Sequence, residues 1–195
     1  HMWIQEGIDV FGDAMATREL AGEDAYIKRM QQIAINIDNK YPVVRGDEVD
    51  SDSAYQPDIY GKGAFFMHTL RFVLGDDIFF ATLKKLATAP EYTYDNTVVT
   101  ADVEKLFSGA YNKNLHPLFH LYLYTTDKLE ISVKKIAVNK FSIKLLNIDM
   151  PLPLDIQTDA GTKRLMVDEK GVTLTSANYP LIDPKVFYFK KIILE

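Results

Sequence analysis

Residues 58–75 read Asp-Ile-Tyr-Gly-Lys-Gly-Ala-Phe-Phe-Met-His-Thr-Leu-Arg-Phe-Val-Leu-Gly, and this stretch decides the fold of the N-terminal part of the chain. Its apolar residues recur at helical spacing and form one stripe, made of Ile59, Gly63, Phe66, Met67, Leu70, Val73 and Leu74. Pro57 lies just ahead of the stretch, where proline does no harm, and Gly75 is typical of a helix C-cap. The pattern predicts a helix over residues 58–74. Two glycines inside it each cost about 1 kcal/mol against alanine, so we expect a close approach to its backbone.

Helical spacing continues on both sides of this stretch. It predicts further helices over residues 13–37, 76–87, 100–111 and 116–124. Residues 38–57 are rich in Asp, Ser, Pro and Gly, and they are predicted to form a loop. A loop of that length in a compact domain is often functional.

The pattern changes near residue 127, where apolar and polar residues begin to alternate in short runs. Turn sequences such as Asp159-Ala160-Gly161 separate the runs. The candidate strands lie at residues 129–133, 141–145, 152–156, 164–167, 172–174 and 186–193. Six or seven short antiparallel strands predict a small, fibronectin-like β-sandwich. The predicted fold class is therefore α+β, with a helical domain over residues 3–126 and the sandwich over residues 127–195.

The composition excludes several classes of function. The net charge is -5, and Lys and Arg are scattered along the chain, which argues against nucleic-acid binding. No apolar run approaches the roughly 20 residues that span a bilayer, so no transmembrane segment is predicted. Cysteine is absent, which excludes disulfides, thiolate catalysis and cysteine-based metal sites. None of this indicates a compartment.

Two residues are candidates for chemistry. Glu6 lies among apolar residues, and it is either a solvated glutamate at the start of a helix or a functional carboxylate. Tyr60 lies off the apolar stripe, just after the long loop, and it is either an ordinary core or surface tyrosine or a functional phenol. Each residue alone favours the ordinary interpretation. The segments that contain them change that balance.

Both segments resemble one protein family, in the right order and at the right separation. Trp3-Ile4-Gln5-Glu6-Gly7 resembles the Trp-Leu-x-Glu-Gly segment of the aminopeptidase N family of zinc metallopeptidases, gluzincins that include leukotriene hydrolase. Tyr60-Gly61-Lys62-Gly63-Ala64 resembles that family's Tyr-x-Lys-Gly-Ala segment. Leu74-Gly75-Asp76-Asp77, followed by Phe79, resembles its Leu-Gly-Asp-x-x-Phe run. The resemblance covers most of residues 3–125.

The resemblance implies a fold, a cofactor and two residue roles. The fold would be the helical C-terminal half of a thermolysin-like catalytic domain, followed by a small β-sandwich. The cofactor would be zinc, with Glu6 as its third protein ligand beside two histidines of a His-Glu-x-x-His helix. Tyr60 would donate a hydrogen bond to the oxyanion of the tetrahedral intermediate. The implied substrates are peptides, which lose their N-terminal residues.

The rest of that zinc site is missing from the sequence. There is no His-Glu-x-x-His, and there is no Gly-x-Met-Glu-Asn segment, with which the family holds the free amino terminus of its substrate. The chain begins His1-Met2, which is typical of what remains after tag removal, so we expect it to be part of a longer protein. One carboxylate cannot hold a catalytic zinc that needs three protein ligands. We therefore expect the parent protein to be a zinc aminopeptidase and this chain alone to bind no zinc and to be inactive.

The remaining histidines are not expected to bind metal. His116 and His120 stand four residues apart, but Pro117 suits the first helical position and would leave His116 as a cap outside the helix. No glutamate occupies the position that a general base would need. His68 lies about 12 Å along the helix from Tyr60 by helical rise, and we expect it to make a polar contact under the core.

Two alternatives to a catalytic parent stay open. The chain could belong to a non-catalytic relative that binds peptides or proteins, or it could be an interaction module whose motifs arose by chance. A structural consequence also follows if the zinc helix is missing. The face of Trp3, Ile4, Ile8 and Phe11 would then lose its cover, and we expect dimers through that face.

Overall fold

The computed structural model of this chain describes residues 1–46, 49–93 and 96–195. The chain forms two compact units, His1–Thr126 and Asp127–Glu195. The first unit is helical and the second is built of strands, so the predicted α+β class is confirmed. Among the described residues, no helix combines the length and the apolar character that crossing a bilayer requires.

Short connections join most of the helices of the first unit. The helices are α1 (Trp3–Ala21), α2 (Glu23–Ile35), α3 (Ser51–Ala54), α4 (Gly61–Leu74), α5 (Asp76–Thr88), α6 (Thr100–Tyr111) and α7 (His116–Phe119). A 3-10 turn over Pro57–Ile59 precedes α4, another over Pro90–Tyr92 follows α5, and a π-helical turn over His120–Tyr124 continues α7. The predicted helices over residues 76–87 and 100–111 are confirmed to within one residue.

The prediction of a single helix over residues 13–37 is wrong in two respects. Helix α1 begins at Trp3, and the chain turns at Gly22 before α2 begins. Gly22 has a φ of 88°, a backbone conformation that glycine adopts readily. Both helices pack against α4, so the apolar spacing continues across the break and does not reveal it. Leu20 is an apolar residue within the range of the predicted helix, but it is 88% exposed.

Helix α4 is the centre of the helical unit. All its residues from Lys62 to Leu74 are buried, because α1, α2, α5 and the π-helical turn surround it. The ring of Phe66 lies 5.6 Å from that of Trp3 and 4.7 Å from that of Phe119, measured between centroids. The buried surface of α4 is therefore wider than the single apolar stripe that the sequence predicts. Polar residues of α4 are also enclosed, and each must find partners inside the fold.

The second unit contains two sheets. Its strands are β1 (Leu129–Ala137), β2 (Lys140–Leu145), β3 (Leu152–Thr158), β4 (Gly161–Val167), β5 (Val172–Thr175), β6 (Leu181–Ile182) and β7 (Lys190–Leu194). One sheet has the order β5-β2-β1-β7 and the other β4-β3-β6. Both sheets bury alternate residues, as in Leu129, Ile131 and Val133 of β1 and Leu152, Leu154 and Ile156 of β3. This alternation is the period of two that the sequence shows.

The prediction that all strands are antiparallel is wrong for one pair. Strand β7 lies parallel to β1, with Ile131 opposite Ile192. The two strands come from opposite ends of the unit, so no tight turn has to join them, and a parallel pair becomes possible. The candidate strand over residues 186–193 also begins too early. Residue Val186 has a φ of 61° and lies in a turn, and β7 starts at Lys190.

Candidate functional site

The two sequence segments of interest meet where α1 crosses α4. A β-carbon placed on Gly7 would lie 2.8 Å from backbone atoms of Gly63, and one placed on Gly63 would lie 3.1 Å from the Cα of Gly7. No side chain fits between the helices at this point, so their backbones are in direct contact. The close approach that we expect from the glycines of α4 is therefore found at Gly63. The crossing brings together the residues on either side of it, Glu6 and Tyr60.

Three polar side chains form the cluster beside this crossing. The hydroxyl of Tyr55 donates a long hydrogen bond, 3.5 Å, to Oε1 of Glu6. The same hydroxyl is hydrogen-bonded to that of Tyr60, and the two rings pack edge to face with centroids 5.8 Å apart. Glu6 and Tyr60 are half-buried, whereas Tyr55 is 54% exposed. The two predicted residues thus lie in one solvent-accessible cluster, bridged by a third. We call Glu6, Tyr55 and Tyr60 the phenol–carboxylate cluster.

The electrostatics of the cluster favour a protonated phenol. The hydrogen bond with Tyr55 raises the pKa of Tyr60 above its ordinary value, and partial burial and the negative charge of Glu6 act in the same direction. A phenol whose pKa is raised keeps its proton at neutral pH. Tyr60 is therefore available as a hydrogen-bond donor.

The residues on either side of this tyrosine fix it to the start of the long loop. The carboxylate of Asp58 accepts hydrogen bonds from the backbone N–H groups of residues 38–39, at 3.0 and 2.6 Å. The ammonium group of Lys62 donates to Oδ1 of Asn39 at 2.7 Å and to the carbonyl of Thr125 at 2.9 Å. Lys62 is fully buried, so these bonds offset the cost of enclosing a charge. The N-terminal end of α4 is thereby anchored on both sides of the phenol.

Two residues of this region are not predicted from the sequence. Tyr55 is an aromatic residue that directly follows the small and polar residues 50–54, and that contrast was the available signal. Lys62 is a lysine next to a fully buried apolar run, which signals an internal partner for its charge. Neither signal says which residues the side chain will meet.

The apolar face expected on α1 is divided in two. Trp3 and Phe11 are 0% and 1% exposed, and Nε1 of Trp3 donates to Oγ1 of Thr100 at 2.9 Å. Ile4 and Ile8 are half-buried, and they line an open apolar pocket of about 220 Å³ with residues of α5 and of the segment after it. The prediction of one exposed face is wrong for the first pair, because those two side chains turn towards α4 and α5. Dimerisation through this face remains a prediction.

The histidines lie away from the cluster. Nδ1 of His68 is 2.7 Å from the hydroxyl of Tyr26, and the histidine is 1% exposed, so the buried polar contact that we expect is present. His116 contacts Oε1 of Glu104 at 3.0 Å. It is the first residue of α7, so the prediction that it lies outside the helix as a cap is wrong. The rings of His116 and His120 are 5.9 Å apart.

Glu6 offers one oxygen donor group to a metal. Carboxylate oxygen is a ligand type that zinc accepts. Within the described ranges, the carboxylate of Glu6 contacts Tyr55 and forms no ion pair. No group of three or more His, Cys, Asp or Glu residues could hold a metal ion in that part of the chain. The residues present therefore fit one position of a zinc ligand set.

Comparisons with known proteins add information about the fold. No protein-family model and no curated protein matches the sequence. Among solved structures, the chain is similar to the crystal structure of Legionella pneumophila aminopeptidase A in complex with aspartic acid, with a TM-score of 0.76 and 19% sequence identity. The match covers 100% of this chain and 24% of that one, so this chain spans about a quarter of the length of that protein. The chain therefore shares its fold with a part of that structure.

Proposed function

We propose that this chain is part of a zinc-dependent aminopeptidase, to which it contributes the zinc ligand Glu6 and the hydrogen-bond donor Tyr60. The observation that carries this proposal is the phenol–carboxylate cluster at the Gly7–Gly63 crossing. The two segments that resemble the aminopeptidase N family lie far apart in sequence, and this crossing joins them. The likeness to the fold of Legionella pneumophila aminopeptidase A supports the same conclusion.

Glu6 has the properties that a metal ligand needs. Its carboxylate is half-buried and no cation of the described residues neutralises it, so it is available to an added cation. It stands on a long helix next to a close backbone contact that leaves no room for a side chain, and a site on a packed helix favours a fixed ligand position. Zinc bound there would polarise the scissile carbonyl and lower the pKa of its water.

Tyr60 is suited to stabilise negative charge on the reacting oxygen. Its proton is retained at neutral pH, and its position at the N-cap of α4 is fixed by the anchoring of Asp58 and Lys62. A donor that is already oriented needs little reorganisation as charge develops, and this is why such donors act mainly on the transition state. The phenol would thus raise kcat more than it improves substrate binding.

In this proposal the other zinc ligands would come from residues outside these 195. The sequence contains no His-Glu-x-x-His, and the described residues hold no three-residue ligand group. We therefore propose that this chain alone does not hydrolyse peptides and that a longer protein containing it does. Peptides with a free amino terminus are the proposed substrates of that longer protein.

The test compares the longer protein with the 195-residue chain. With zinc added, we expect the longer protein to hydrolyse aminoacyl anilides and the chain to show no turnover. Tyr60→Phe in the longer protein should lower kcat about 100-fold while its zinc content, measured by atomic absorption, stays the same. Glu6→Gln should lower the zinc content itself. Unchanged turnover in Tyr60→Phe would remove the role assigned to the phenol.

A second candidate function is a non-catalytic scaffold that binds peptides or proteins. The open apolar pocket beside Ile4 and Ile8 favours it, because such a surface can accept an apolar side chain. A longer protein that binds peptides but holds no zinc and hydrolyses no anilide would support this candidate over the first.

A further inference from the structure

We propose that Tyr55 is a positioning residue for Tyr60, which it holds through a hydroxyl that also binds Glu6. This inference rests on the proposed function, because it concerns the orientation of the phenol that would act on the substrate. It adds to that function a residue that lies outside both resembling segments. The role follows from the two hydrogen bonds of the Tyr55 hydroxyl, from the support of the loop and from the exposure of the ring.

The hydroxyl of Tyr55 contacts both other members of the phenol–carboxylate cluster. A tyrosine hydroxyl has one proton to donate and lone pairs with which it accepts. When the hydroxyl of Tyr55 donates its proton to Glu6, it accepts the proton of Tyr60 through a lone pair. In that arrangement the proton of Tyr60 points towards the oxygen of Tyr55. An acceptor oxygen of a substrate would then take the place of the Tyr55 oxygen as the partner of that proton.

The backbone that carries Tyr55 is held by local hydrogen bonds. The side chain of Asp50 accepts from the N–H of Ser53 at 2.9 Å, and the guanidinium of Arg45 donates to the carbonyl of Ser53 at 2.7 Å. The N–H of Tyr55 donates to the carbonyl of Ser51 at 2.9 Å. These contacts order a short segment of the loop. The hydroxyl of Tyr55 is thus presented from a supported position.

The exposure of the ring separates this role from ordinary packing. A tyrosine that stabilises the core buries its ring, whereas the side chain of Tyr55 is 54% exposed. Its hydrogen bonds are made to the two residues to which the proposed function assigns chemistry. Phenylalanine at this position keeps the ring contact with Tyr60 and removes only the hydroxyl. Tyr55→Phe is therefore a selective test.

The first experiment is a double-mutant cycle in the longer protein. Tyr55→Phe should lower kcat about tenfold and change KM less than about twofold, because it loosens a donor used in the transition state. In a Tyr60→Phe background the Tyr55→Phe change should lower kcat by less than about twofold, because Tyr55 acts by orienting the hydroxyl of Tyr60. Tyr179→Phe, at a tyrosine of similar exposure in the second unit, is the matched control and should leave kcat unchanged.

The outcomes separate this inference from the proposed function. An equal loss from Tyr55→Phe in both backgrounds would show that the hydroxyl acts independently, and it would overturn the positioning role alone. A normal kcat in Tyr60→Phe would overturn the proposed function, and the positioning role with it. A tenfold loss that disappears in the Tyr60→Phe background would support both.

The second experiment needs no zinc and no turnover. The 195-residue chain is labelled with carbon-13 at the tyrosine ring carbon that bears the hydroxyl, and the signal of Tyr60 is assigned by its absence in Tyr60→Phe. Tyr55→Phe should shift this signal, because the phenol loses its acceptor, and Tyr179→Phe should not. A signal of Tyr60 that is the same with and without the Tyr55 hydroxyl would overturn the proposal.

Discussion

The two ends of helix α4 use polar side chains in opposite ways. At the N-terminal end, Tyr60 and its neighbour Glu6 remain half-buried and share the hydroxyl of Tyr55. At the C-terminal end, the guanidinium of Arg71 is 8% exposed, and Asp76 binds it at 2.8 Å. One end leaves hydrogen-bonding capacity open to solvent, and the other pairs a buried arginine with carboxylates.

The C-terminal end is a network of paired charges. Arg71 also contacts Glu23 at 3.3 Å, and Arg18 binds Glu23 at 2.6 Å and Asp76 at 3.2 Å. The guanidinium of Arg71 lies 4.8 Å from the ring centroid of Tyr26. Two cations and two anions thus join four helices, and their mutual pairing offsets the cost of burying charge. We call these four charged residues the Arg71 network.

The comparison between the two ends of α4 separates polar groups that stabilise the fold from polar groups that remain available to a ligand. Polar groups with several fixed partners, as in the Arg71 network, stabilise the fold and have little capacity left for a ligand. The phenol–carboxylate cluster has fewer partners and is accessible to solvent, while the two backbones beneath it are in close contact. Three stability measurements test this comparison. Each uses urea denaturation followed by the fluorescence of Trp3, the one tryptophan of the chain, which lies in the helical unit.

The largest effect is expected at the helix crossing below the cluster. Gly7→Ala places a β-carbon 2.8 Å from the backbone of Gly63, so the helices must move apart. We expect the free energy of unfolding to fall by about 2–3 kcal/mol. Gly12→Ala on the same helix is the matched control, because its β-carbon meets nothing within 4 Å. It should be neutral or should stabilise by up to about 1 kcal/mol. Equal effects at both positions would contradict the close crossing.

A smaller, pH-dependent effect is expected in the Arg71 network. The hydrogen bond from Arg71 lowers the pKa of Asp76, so the stabilisation by its carboxylate is present above the ordinary aspartate pKa of about 4 and is lost as the pH falls. Asp76→Asn should lower the free energy of unfolding by about 1–2 kcal/mol at pH 7. The difference from the unchanged protein should shrink as the pH falls below about 4.

The matched control for this change is Asp77→Asn, one residue further along. Asp77 lies in the same first turn of α5, but within the described residues it forms no ion pair. Asp77→Asn should therefore lower the free energy of unfolding by less than Asp76→Asn does at pH 7. A cost of Asp76→Asn that is the same at pH 7 and pH 3 would show that its charge does not stabilise the network.

The smallest effect is expected in the cluster itself. Glu6→Gln and Tyr55→Phe each remove one partner of a hydrogen bond that is open to solvent, so water can replace it. We expect either change to alter the free energy of unfolding by less than about 0.5 kcal/mol. A loss of more than about 1 kcal/mol would place the cluster with the Arg71 network as a structural feature, and it would weaken the proposed function.

Local patterns predicted much of the secondary structure and missed what depends on packing. The helices at residues 76–87 and 100–111 were predictable because each has one apolar face and clear ends. The break at Gly22 was not, since the apolar spacing of α1 continues into α2. The parallel pairing of β7 with β1 was not predictable either, because alternation shows which side of a strand is buried and not which strand lies beside it.

The sequence by itself determined that a helical part precedes a β part, and it singled out Glu6 and Tyr60 as candidates. Only the tertiary structure decided that these residues share a cluster with Tyr55, and that Lys62 is enclosed among polar partners at the same end of α4. The physical reason is that the spacing of apolar residues shows only which side of a helix or strand is buried. Contacts between distant segments depend on how closely two helices approach, and here that distance is set where Gly7 meets Gly63.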